Sequence, residues 1–264
     1  MSDSIQINRE GRLMLVALNR PEKRNALNLE LCRALFVALD EAEKSPAVGA
    51  VLLSGNGKSF CAGMDLSEAL KQDSGQINTA HEHIFTGSAL RTKPLVAAVH
   101  GAALAGGTGL LANCHVVVAS EDATFGLTEI RVGLWPFLVY RAVALAIGER
   151  RTTELALTGR IFGAGEAREY GLVSQVVKAE ELIGRAREIA GALAEASPVA
   201  ISNGLACVRA ARGKTWEEAS ELARQARTRV FIGADFKEGV RAFQERRRPN
   251  WPSLAPQDVG GMRK

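Results

Sequence analysis

The residues that could do chemistry in this chain begin with two glycine-containing stretches, FCAGMDL at residues 60–66 and ALAGGTGLLAN at residues 103–113. In each case a short apolar run typical of a strand is followed by glycines and then by the start of a helical pattern. The first backbone N–H groups of a helix have no partner within it, and together with the helix dipole they favour negative charge. Two such helix starts facing one point could therefore hold an oxyanion.

Fragments of nucleotide-binding patterns lie in or beside the same stretches. The GKS at residues 57–59 ends a phosphate-binding P-loop pattern, but Leu52 stands where that pattern requires its first glycine. Residues 107–112 match GxGxxA, yet Glu121 follows Gly107 by only 14 residues, whereas a dinucleotide unit needs about 20. The spacing argues against both kinds of nucleotide site.

Composition favours a globular protein with a small anionic ligand. The chain has 264 residues, 47% of them hydrophobic, which fits one large domain or one domain with a small subdomain. Its 33 basic and 29 acidic residues leave a net charge of +4, spread along the chain except for a basic run at residues 246–248. A few basic side chains suit a phosphate-bearing small molecule better than a nucleic acid, and no nucleic-acid partner is expected.

The cysteines and the N-terminus point to a reducing compartment. Cys32, Cys61, Cys114 and Cys207 lie far apart and form no CxxC pair, so neither a disulfide framework nor a zinc site is indicated. The first residues lack the pattern of a signal peptide, and no apolar run reaches the roughly 18 residues of a membrane span. We expect a soluble cytoplasmic protein that has no membrane partner.

Strand and helix patterns alternate along the first two thirds of the chain, which favours an α/β fold with parallel strands. A β-hairpin is expected over residues 5–18 and a helix over 29–44 with Asn28 as its N-cap. The polar residues 66–88 predict a helical segment or lid. Further strands are expected at residues 48–53, 95–99, 115–119 and 173–177, and further helices at 179–196, 198–211, 215–231 and 235–244.

Six segments follow one another along the chain: LNRPEKRNALN, FCAGMDL, PLVAAVHGAALAGGTGLLANCHVVVAS, ATFGLTEIRVGLWP, LTGRIFGAGEAREYGLVSQVV and FKEGVRAFQERRRP. In order and spacing they resemble the crotonase, or enoyl-CoA hydratase/isomerase, family, and the resemblance runs from about residue 5 to residue 250.

The resemblance implies an α/β fold, a crotonase-like superhelix of repeated ββα units with a C-terminal helical trimerisation region. The core domain would take residues 1–195, and residues 196–264 would complete the oligomer, a trimer or dimer of trimers, and the coenzyme A site. The ligand would be an acyl-CoA thioester, and no further cofactor or metal is implied.

By position in the family motifs, the backbone N–H groups of Met64 and Gly106 would form an oxyanion hole. Drawing electron density onto a thioester carbonyl creates an enolate, and removal of one fixed donor typically costs about 3 kcal/mol of its stabilisation. Glycine at position 106 would let the ligand approach the backbone closely.

The carboxylates decide which reaction is expected. Glu129 lies in FGLTEI among Phe125, Leu127 and Ile130, which would desolvate it and raise its pKa towards an acid/base role. Family hydratases carry a second glutamate where this chain has Gly109, and no Asp or Glu occurs between residues 95 and 120.

One carboxylate suffices to shift a double bond by proton shuttling, so isomerisation and hydration both stay open. Other thioester reactions, such as decarboxylation or C–C cleavage, and a catalytically silent acyl-CoA binder are further alternatives.

Substrate contacts follow from the same resemblance. Basic side chains would meet coenzyme A, the backbone around Met64 would meet adenine, and aromatic residues would line the acyl pocket. Asp65 is also expected to cap the helix that begins at Leu66. The expected substrate-binding residues are Lys23, Arg24, Ala26, Ala62, Asp65, Leu66, Gly109, Trp135 and Arg246, with Pro136, Phe137 and Tyr140 as further pocket candidates.

The remaining polar candidates are given structural roles. His81 and His83 have no third metal ligand nearby, so a metal site is not expected there. His100 is expected to bond a backbone group at a strand end, His115 stands where the family often has aspartate, and Cys61 is expected to be a small buried residue.

Overall fold

A computed structural model describes residues 3–70, 74–87 and 90–254 of this protein, and its central feature is a six-stranded sheet. The sheet has the strand order β1-β2-β3-β4-β6-β9, and a smaller sheet has the order β5-β7-β8. The strands are β1 (Ile5–Glu10), β2 (Leu13–Leu18), β3 (Ala50–Gly55), β4 (Leu95–Val99), β5 (Ala102–Leu104), β6 (Val116–Ser120), β7 (Thr124–Gly126), β8 (Phe162–Gly163) and β9 (Gln175–Val177).

Eleven α-helices lie within the described residues. They are α1 (Leu29–Lys44), α2 (Leu66–Ala69), α3 (Ser74–Gly87), α4 (Gly106–Ala112), α5 (Phe137–Ile147), α6 (Glu149–Thr158), α7 (Ala164–Tyr170), α8 (Leu182–Ala194), α9 (Pro198–Ala210), α10 (Trp216–Phe231) and α11 (Ala234–Gln244).

The large sheet confirms the expected α/β organisation. β1 and β2 form the expected antiparallel hairpin, and every later pairing in the sheet is parallel. The β2–β3 register runs from Leu13 opposite Ala50 to Leu18 opposite Gly55. Parallel strands bury both faces, which explains why these segments read as continuous apolar runs rather than as alternating ones.

Both faces of the large sheet pack against helices. On one face Leu52, Val96 and Val118 meet α8 through residues such as Ala186 and Ala190. On the other face the alternate residues of the same strands point into a larger core that includes α1 and the small sheet. The side chains of a strand alternate between faces, so two layers of core form around one sheet.

The helix predictions are largely confirmed. α1 has the predicted bounds, and the Asn28 side chain accepts a hydrogen bond from the Leu31 N–H, as an N-cap does. The four C-terminal helices lie within a few residues of their predicted bounds, α8 beginning after a short 3₁₀ turn over Ala179–Glu181. The expected segment 66–88 is helical over α2 and α3, while residues 71–73 and 88 lie outside the described residues.

The small sheet was not predicted, because its strands are only two or three residues long. β5 pairs with β7 in parallel and β7 pairs with β8 antiparallel. β5 leads directly into α4, so this sheet fixes the point at which the second glycine-containing stretch turns into a helix. Over the described part of the chain, no helix has both the length and the apolar character that crossing a membrane requires.

Candidate active site

The two glycine-containing stretches lie side by side. The Cys61 N–H donates to the Ala102 carbonyl at 3.0 Å, and the Leu104 N–H donates to the Cys61 carbonyl at 3.0 Å. Two residues further along, a Cβ on Gly63 would lie 2.8 Å from the Ala105 Cβ and 3.4 Å from the Gly106 nitrogen. Only glycine fits at position 63, which also has φ +93°. The backbone at residues 63–64 therefore reaches the first turn of α4.

The amides of Met64 and Gly106 have no acceptor among the described residues. Leu27 pairs with Met64 in a parallel bridge: its N–H donates to the Gly63 carbonyl at 2.7 Å, and its carbonyl accepts from the Asp65 N–H at 3.1 Å. In such a bridge the N–H of the middle residue points away from the partner strand. Gly106 is the first residue of α4, so its N–H lacks a helical acceptor. Among the described residues neither amide donates to another protein group.

Ala105 sets the entry into α4 through a strained backbone. Its φ is +49°, in a region that costs a non-glycine residue about 1–3 kcal/mol. The Ala105 N–H donates to the Gly126 carbonyl at 2.7 Å, and the Thr108 hydroxyl donates to the Ala103 carbonyl at 2.7 Å. These bonds hold the turn between β5 and the first residue of α4, Gly106.

A cavity of about 430 Å³, the α3–α5 cavity, opens where these segments meet. Met64, Ala105 and Gly106 line it, together with Ala62, Leu66 and Leu27. One wall comes from α3 and the other from residues 132–139, which are mostly apolar or aromatic. Its size and mixed lining are those of a small-molecule site.

Glu129 borders the α3–α5 cavity at the start of a 3₁₀ turn over Glu129–Val132. It is 9% exposed, and its Oε2 atom has no hydrogen-bond partner among the described residues. Burial raises the pKa of Glu129 to about 7, opposed in part by the residue's own backbone N–H. Phe125 and Leu127 are buried beside it as expected, but Ile130 is exposed and does not shield it.

The place of a second carboxylate is filled by other side chains. A Cβ on Gly109 would lie 2.2 Å from Val139 Cγ1, 2.6 Å from Val139 Cβ and 3.2 Å from Phe85 Cε1. Gly109 is buried behind these residues and does not line the α3–α5 cavity, contrary to the expectation of a substrate contact there. Side chains of α3 and α5 therefore occupy the space that a side chain at position 109 would need.

The basic loop before α1 lies next to the cavity. Lys23 and Arg24 are exposed on it, and the Arg24 carbonyl accepts from the N–H of Ala62 at 3.0 Å. Asn25, which the sequence did not single out, is fully buried and holds the loop. Its Oδ1 accepts from the Arg20 N–H at 2.8 Å, and its Nδ2 donates to the Ser59 carbonyl at 2.8 Å. Its φ of +54° is the kind of left-handed conformation that asparagine tolerates.

Asp65 is the expected cap of α2. Its Oδ1 accepts from the Ser67 N–H at 3.2 Å and its Oδ2 pairs with Arg20 at 3.1 Å. Burial alone would raise the pKa of Asp65, but the bonds from Ser67 and Arg20 outweigh burial and lower it. Because Arg20 also donates to the Ala26 carbonyl, this ion pair ties the basic loop to residues 64–66.

The other predicted contacts divide between the cavity and its surroundings. Trp135, Pro136 and Phe137 line the cavity, whereas Tyr140 stacks on Trp135 at 5.9 Å and is not part of the lining. Arg246 is exposed beyond α11 and does not line the cavity of this chain.

His100 and Cys61 have the structural roles expected of them, and His115 also bonds a backbone group. His100 contacts the Gly57 carbonyl through Nε2 at 2.8 Å, and the Leu95 N–H donates to His115 Nδ1 at 3.0 Å. Cys61 is fully buried, and burial raises the pKa of its thiol to about 12.

Sequence reasoning missed His81 as a cavity residue. It is 6% exposed, lines the α3–α5 cavity and has Nε2 at 3.2 Å from the Leu27 carbonyl oxygen. His83 is exposed, and its ring is tilted against that of Phe36 with the centroids 5.1 Å apart. The buried residues Ile77, Ala80 and Ile84 give the helical phase of α3 that sets His81 inward, which is a signal the sequence does contain. No group of three or more potential metal ligands occurs among the described residues.

Comparisons with known proteins agree with this architecture. The sequence model of the enoyl-CoA hydratase/isomerase family matches residues 8–254. An enoyl-CoA hydratase of Mycobacterium tuberculosis is 37% identical over 254 residues, 93% of this chain and 95% of the relative. A 2,3-dehydroadipyl-CoA hydratase of Escherichia coli is 32% identical over 253 residues, 95% of this chain and 99% of the relative.

Solved structures agree as well. A crystal structure of an enoyl-CoA hydratase from Bacillus anthracis superimposes with a TM-score of 0.89 at 32% identity, covering 95% of this chain and 99% of that one. The expected crotonase-like fold is thereby confirmed. With a family match over nearly the whole chain, relatives above 30% identity and the same fold, this chain belongs to the enoyl-CoA hydratase/isomerase family.

Proposed function

We propose that this enzyme binds an enoyl-CoA thioester and shifts its double bond from the 3,4 to the 2,3 position, using Glu129 as the sole acid/base. The observation that carries the proposal is a pair of facts about the same cavity. Glu129 borders it with an oxygen that has no hydrogen-bond partner among the described residues, while Val139 and Phe85 of the cavity lining fill the space of a side chain at position 109.

The Met64 and Gly106 amides would receive the thioester carbonyl oxygen. Loss of a proton from the α carbon places negative charge on that oxygen, and donors fixed before the reaction stabilise it without reorganisation. Neither amide has an acceptor in the described part of the chain, and both residues line the cavity. Because the donors are backbone groups, their charge complementarity does not depend on the side chain at position 64.

Glu129 would move one proton twice. Its carboxylate takes a proton from the α carbon, and the C–H electron pair enters the dienolate that extends over the thioester. The carboxylic acid then returns the proton to the γ carbon, which leaves the double bond conjugated with the carbonyl and the carboxylate regenerated. A pKa of about 7 suits a group that must accept and donate at neutral pH.

Coenzyme A would lie along the basic loop and the backbone of residues 62–66. Lys23 and Arg24 are the proposed phosphate contacts, because they are exposed on a loop bonded to Ala62. Arg246 remains a proposed contact from this or a neighbouring copy of the chain. No further cofactor is needed for the proposed reaction.

We also propose a homo-oligomer, a trimer or dimer of trimers, in which residues 196–264 take part. Support comes from apolar side chains on the last helices that stay exposed in a single chain, such as Trp216, Ile232 and Phe243. Residues 255–264 of that region lie outside the described residues.

Hydration is the second candidate, favoured by the names of the relatives, which are hydratases. It requires water to be activated and the α carbon to be protonated, and Glu129 would have to serve both steps. The same substrate pair separates the two reactions, because addition of water to a 2-enoyl-CoA gives a 3-hydroxyacyl-CoA.

The test supplies 3-enoyl-CoA and 2-enoyl-CoA to the native protein, to Glu129→Gln and to Glu121→Gln, a control at an exposed position. Isomerisation predicts a conjugated product from the 3-enoyl substrate, lost in Glu129→Gln and kept in Glu121→Gln. A 3-hydroxyacyl product would establish hydration instead. Absence of both products, with no Glu129-dependent exchange of the α proton into deuterated water, would leave only an acyl-CoA binder.

A further inference from the structure

Helix α3 presents polar side chains to the α3–α5 cavity that the proposed proton transfer does not use. Asn78, His81 and Glu82 line this wall, and their spacing of i, i+3 and i+4 places them on one helical face. Trp135 and Phe137 belong to the opposite, apolar wall. A hydrocarbon acyl group filling the cavity would desolvate the polar wall and give it no partners, which is unfavourable.

The hydrogen bond of His81 fixes which of its nitrogens carries the proton. Nε2 lies 3.2 Å from the Leu27 carbonyl oxygen, and a carbonyl can only accept. Nε2 is therefore the protonated nitrogen. Burial lowers the pKa of His81, with smaller opposing effects from the Leu27 bond and Glu68, so the ring is neutral at pH 7. In that tautomer Nδ1 is a hydrogen-bond acceptor.

Nδ1 is an unused acceptor, because no group in the described part of the chain donates to it. His81 borders the α3–α5 cavity, so that cavity is the space its free acceptor can serve.

His81 also lies close to the proposed oxyanion hole. The Leu27 carbonyl that it contacts belongs to the bridge with Met64. The Leu27 Cδ1 atom would lie 2.9 Å from a Cβ on Gly106. The His81 ring is thus connected through Leu27 to the side of the cavity where the thioester carbonyl is proposed to bind.

We propose that His81 is a specificity-determining residue, whose Nδ1 selects acyl groups that carry a hydroxyl a few bonds from the thioester. This inference rests on the proposed function, which places the thioester carbonyl oxygen at the Met64 and Gly106 amides. A carboxylate at the same place is disfavoured, because it offers no donor and Glu82 adds negative charge to the same wall.

Calorimetric binding of three saturated ligands isolates this contact from turnover. The ligands are 4-hydroxybutyryl-CoA, 4-methoxybutyryl-CoA and pentanoyl-CoA, which offer a donor, an oxygen without a donor, and a methyl group. We expect the native protein to bind the hydroxy ligand about tenfold more tightly than the other two, the ratio typical of one hydrogen bond to a neutral group.

The variants are His81→Phe, His81→Gln and His83→Phe. His81→Phe should lower the affinity for the hydroxy ligand only, so that all three affinities lie within about twofold of one another. Glutamine can both donate to the Leu27 carbonyl and accept from the ligand, so His81→Gln should keep most of the preference. His83→Phe, on the same helix but outside the cavity, should match the native protein.

Equal affinity of the native protein for all three ligands would overturn the proposal. So would an equal loss for all three in His81→Phe and His81→Gln, which would mean that His81 only fastens α3 to Leu27. Because none of the ligands is an enoyl thioester, these results do not depend on whether the enzyme isomerises or hydrates. Failure to bind any acyl-CoA would overturn the proposed function together with the inference.

Discussion

Replacing Gly109 by alanine should destabilise this protein, although alanine is the better helix former. Gly109 lies within α4, where the exchange of glycine for alanine ordinarily gains about 1 kcal/mol. Here the new Cβ would stand 2.2 Å from Val139 Cγ1 and 2.6 Å from Val139 Cβ. Such contacts require α4 or α5 to move, because the Cβ of Val139 is bonded directly to its backbone.

The two effects set the expected magnitude. Overpacking a filled core costs about 1–3 kcal/mol, and the helix propensity of alanine offsets part of it. A contact of 2.2 Å places the cost at the upper end of that range, so a net loss of about 2 kcal/mol in the free energy of unfolding is expected. Gly184→Ala in α8 is the matched control, since a Cβ there meets nothing within 4 Å, and it should leave stability unchanged or raise it.

Denaturant unfolding at one protein concentration measures both variants, because association would otherwise change the apparent stability. A Gly109→Ala protein as stable as the native one would refute the claim that Val139 and Phe85 fill this space. The single-acid proposal would then lose its main support. In the expected case, Gly109→Glu alone should not gain hydratase activity, and testing a second carboxylate would require Val139→Gly as well.

Four other measurements address the candidate site. Glu129 must start as a carboxylate, so kcat/KM for 3-enoyl-CoA should rise with pH up to a plateau above its pKa of about 7; a profile that levels off near 4.5 would contradict the buried acid. The same raised pKa should make the native protein lose stability from about pH 4.5 to about 7, where the folded state holds a proton that the unfolded state releases, and Glu129→Gln should lack this loss. Asn25→Ala should lower the free energy of unfolding by about 2–3 kcal/mol, because it removes the buried hydrogen bonds of the Asn25 side chain. Asn8→Ala, at an exposed position, should change the free energy of unfolding little. Equal effects of the two substitutions would mean that the loop does not depend on Asn25. Replacing Lys23 and Arg24 together by alanine should raise KM for acyl-CoA, leave kcat nearly unchanged and weaken the salt dependence of KM. A lower kcat with an unchanged KM would show that these residues do not contact coenzyme A.

Much of the fold could be predicted because its signals are local. Asn28 caps α1 with its own side chain, and the spacing of Leu31, Leu35 and Leu39 gives α1 its buried face. The small sheet lacks such signals: Ala102 pairs with Thr124, and Thr124 pairs with Gly163, so each short strand is stabilised by residues far along the chain. Strands of this kind are specified by tertiary contacts rather than by their own sequence.

The candidate site shows the same division. The positions of Glu129, Met64 and Gly106 follow from motifs, each within a short stretch of sequence. That Gly109 is covered depends on Val139, thirty residues later in the sequence and brought over it by the packing of α5 on α4. In the sequence His81 stands beside His83 without a third metal ligand. Its place in the cavity depends on which face of α3 meets the core.

The Leu27 carbonyl oxygen accepts from both the Asp65 amide and the His81 ring, and so it connects the segment of residues 64–66 with helix α3. Contacts of a bound acyl group with α3 would therefore affect the position of the segment that carries the Met64 amide. Binding energy from parts of the substrate away from the reacting carbon would then help to stabilise the proposed enolate. Substrates with a shortened acyl group should consequently have a lower kcat as well as a lower affinity.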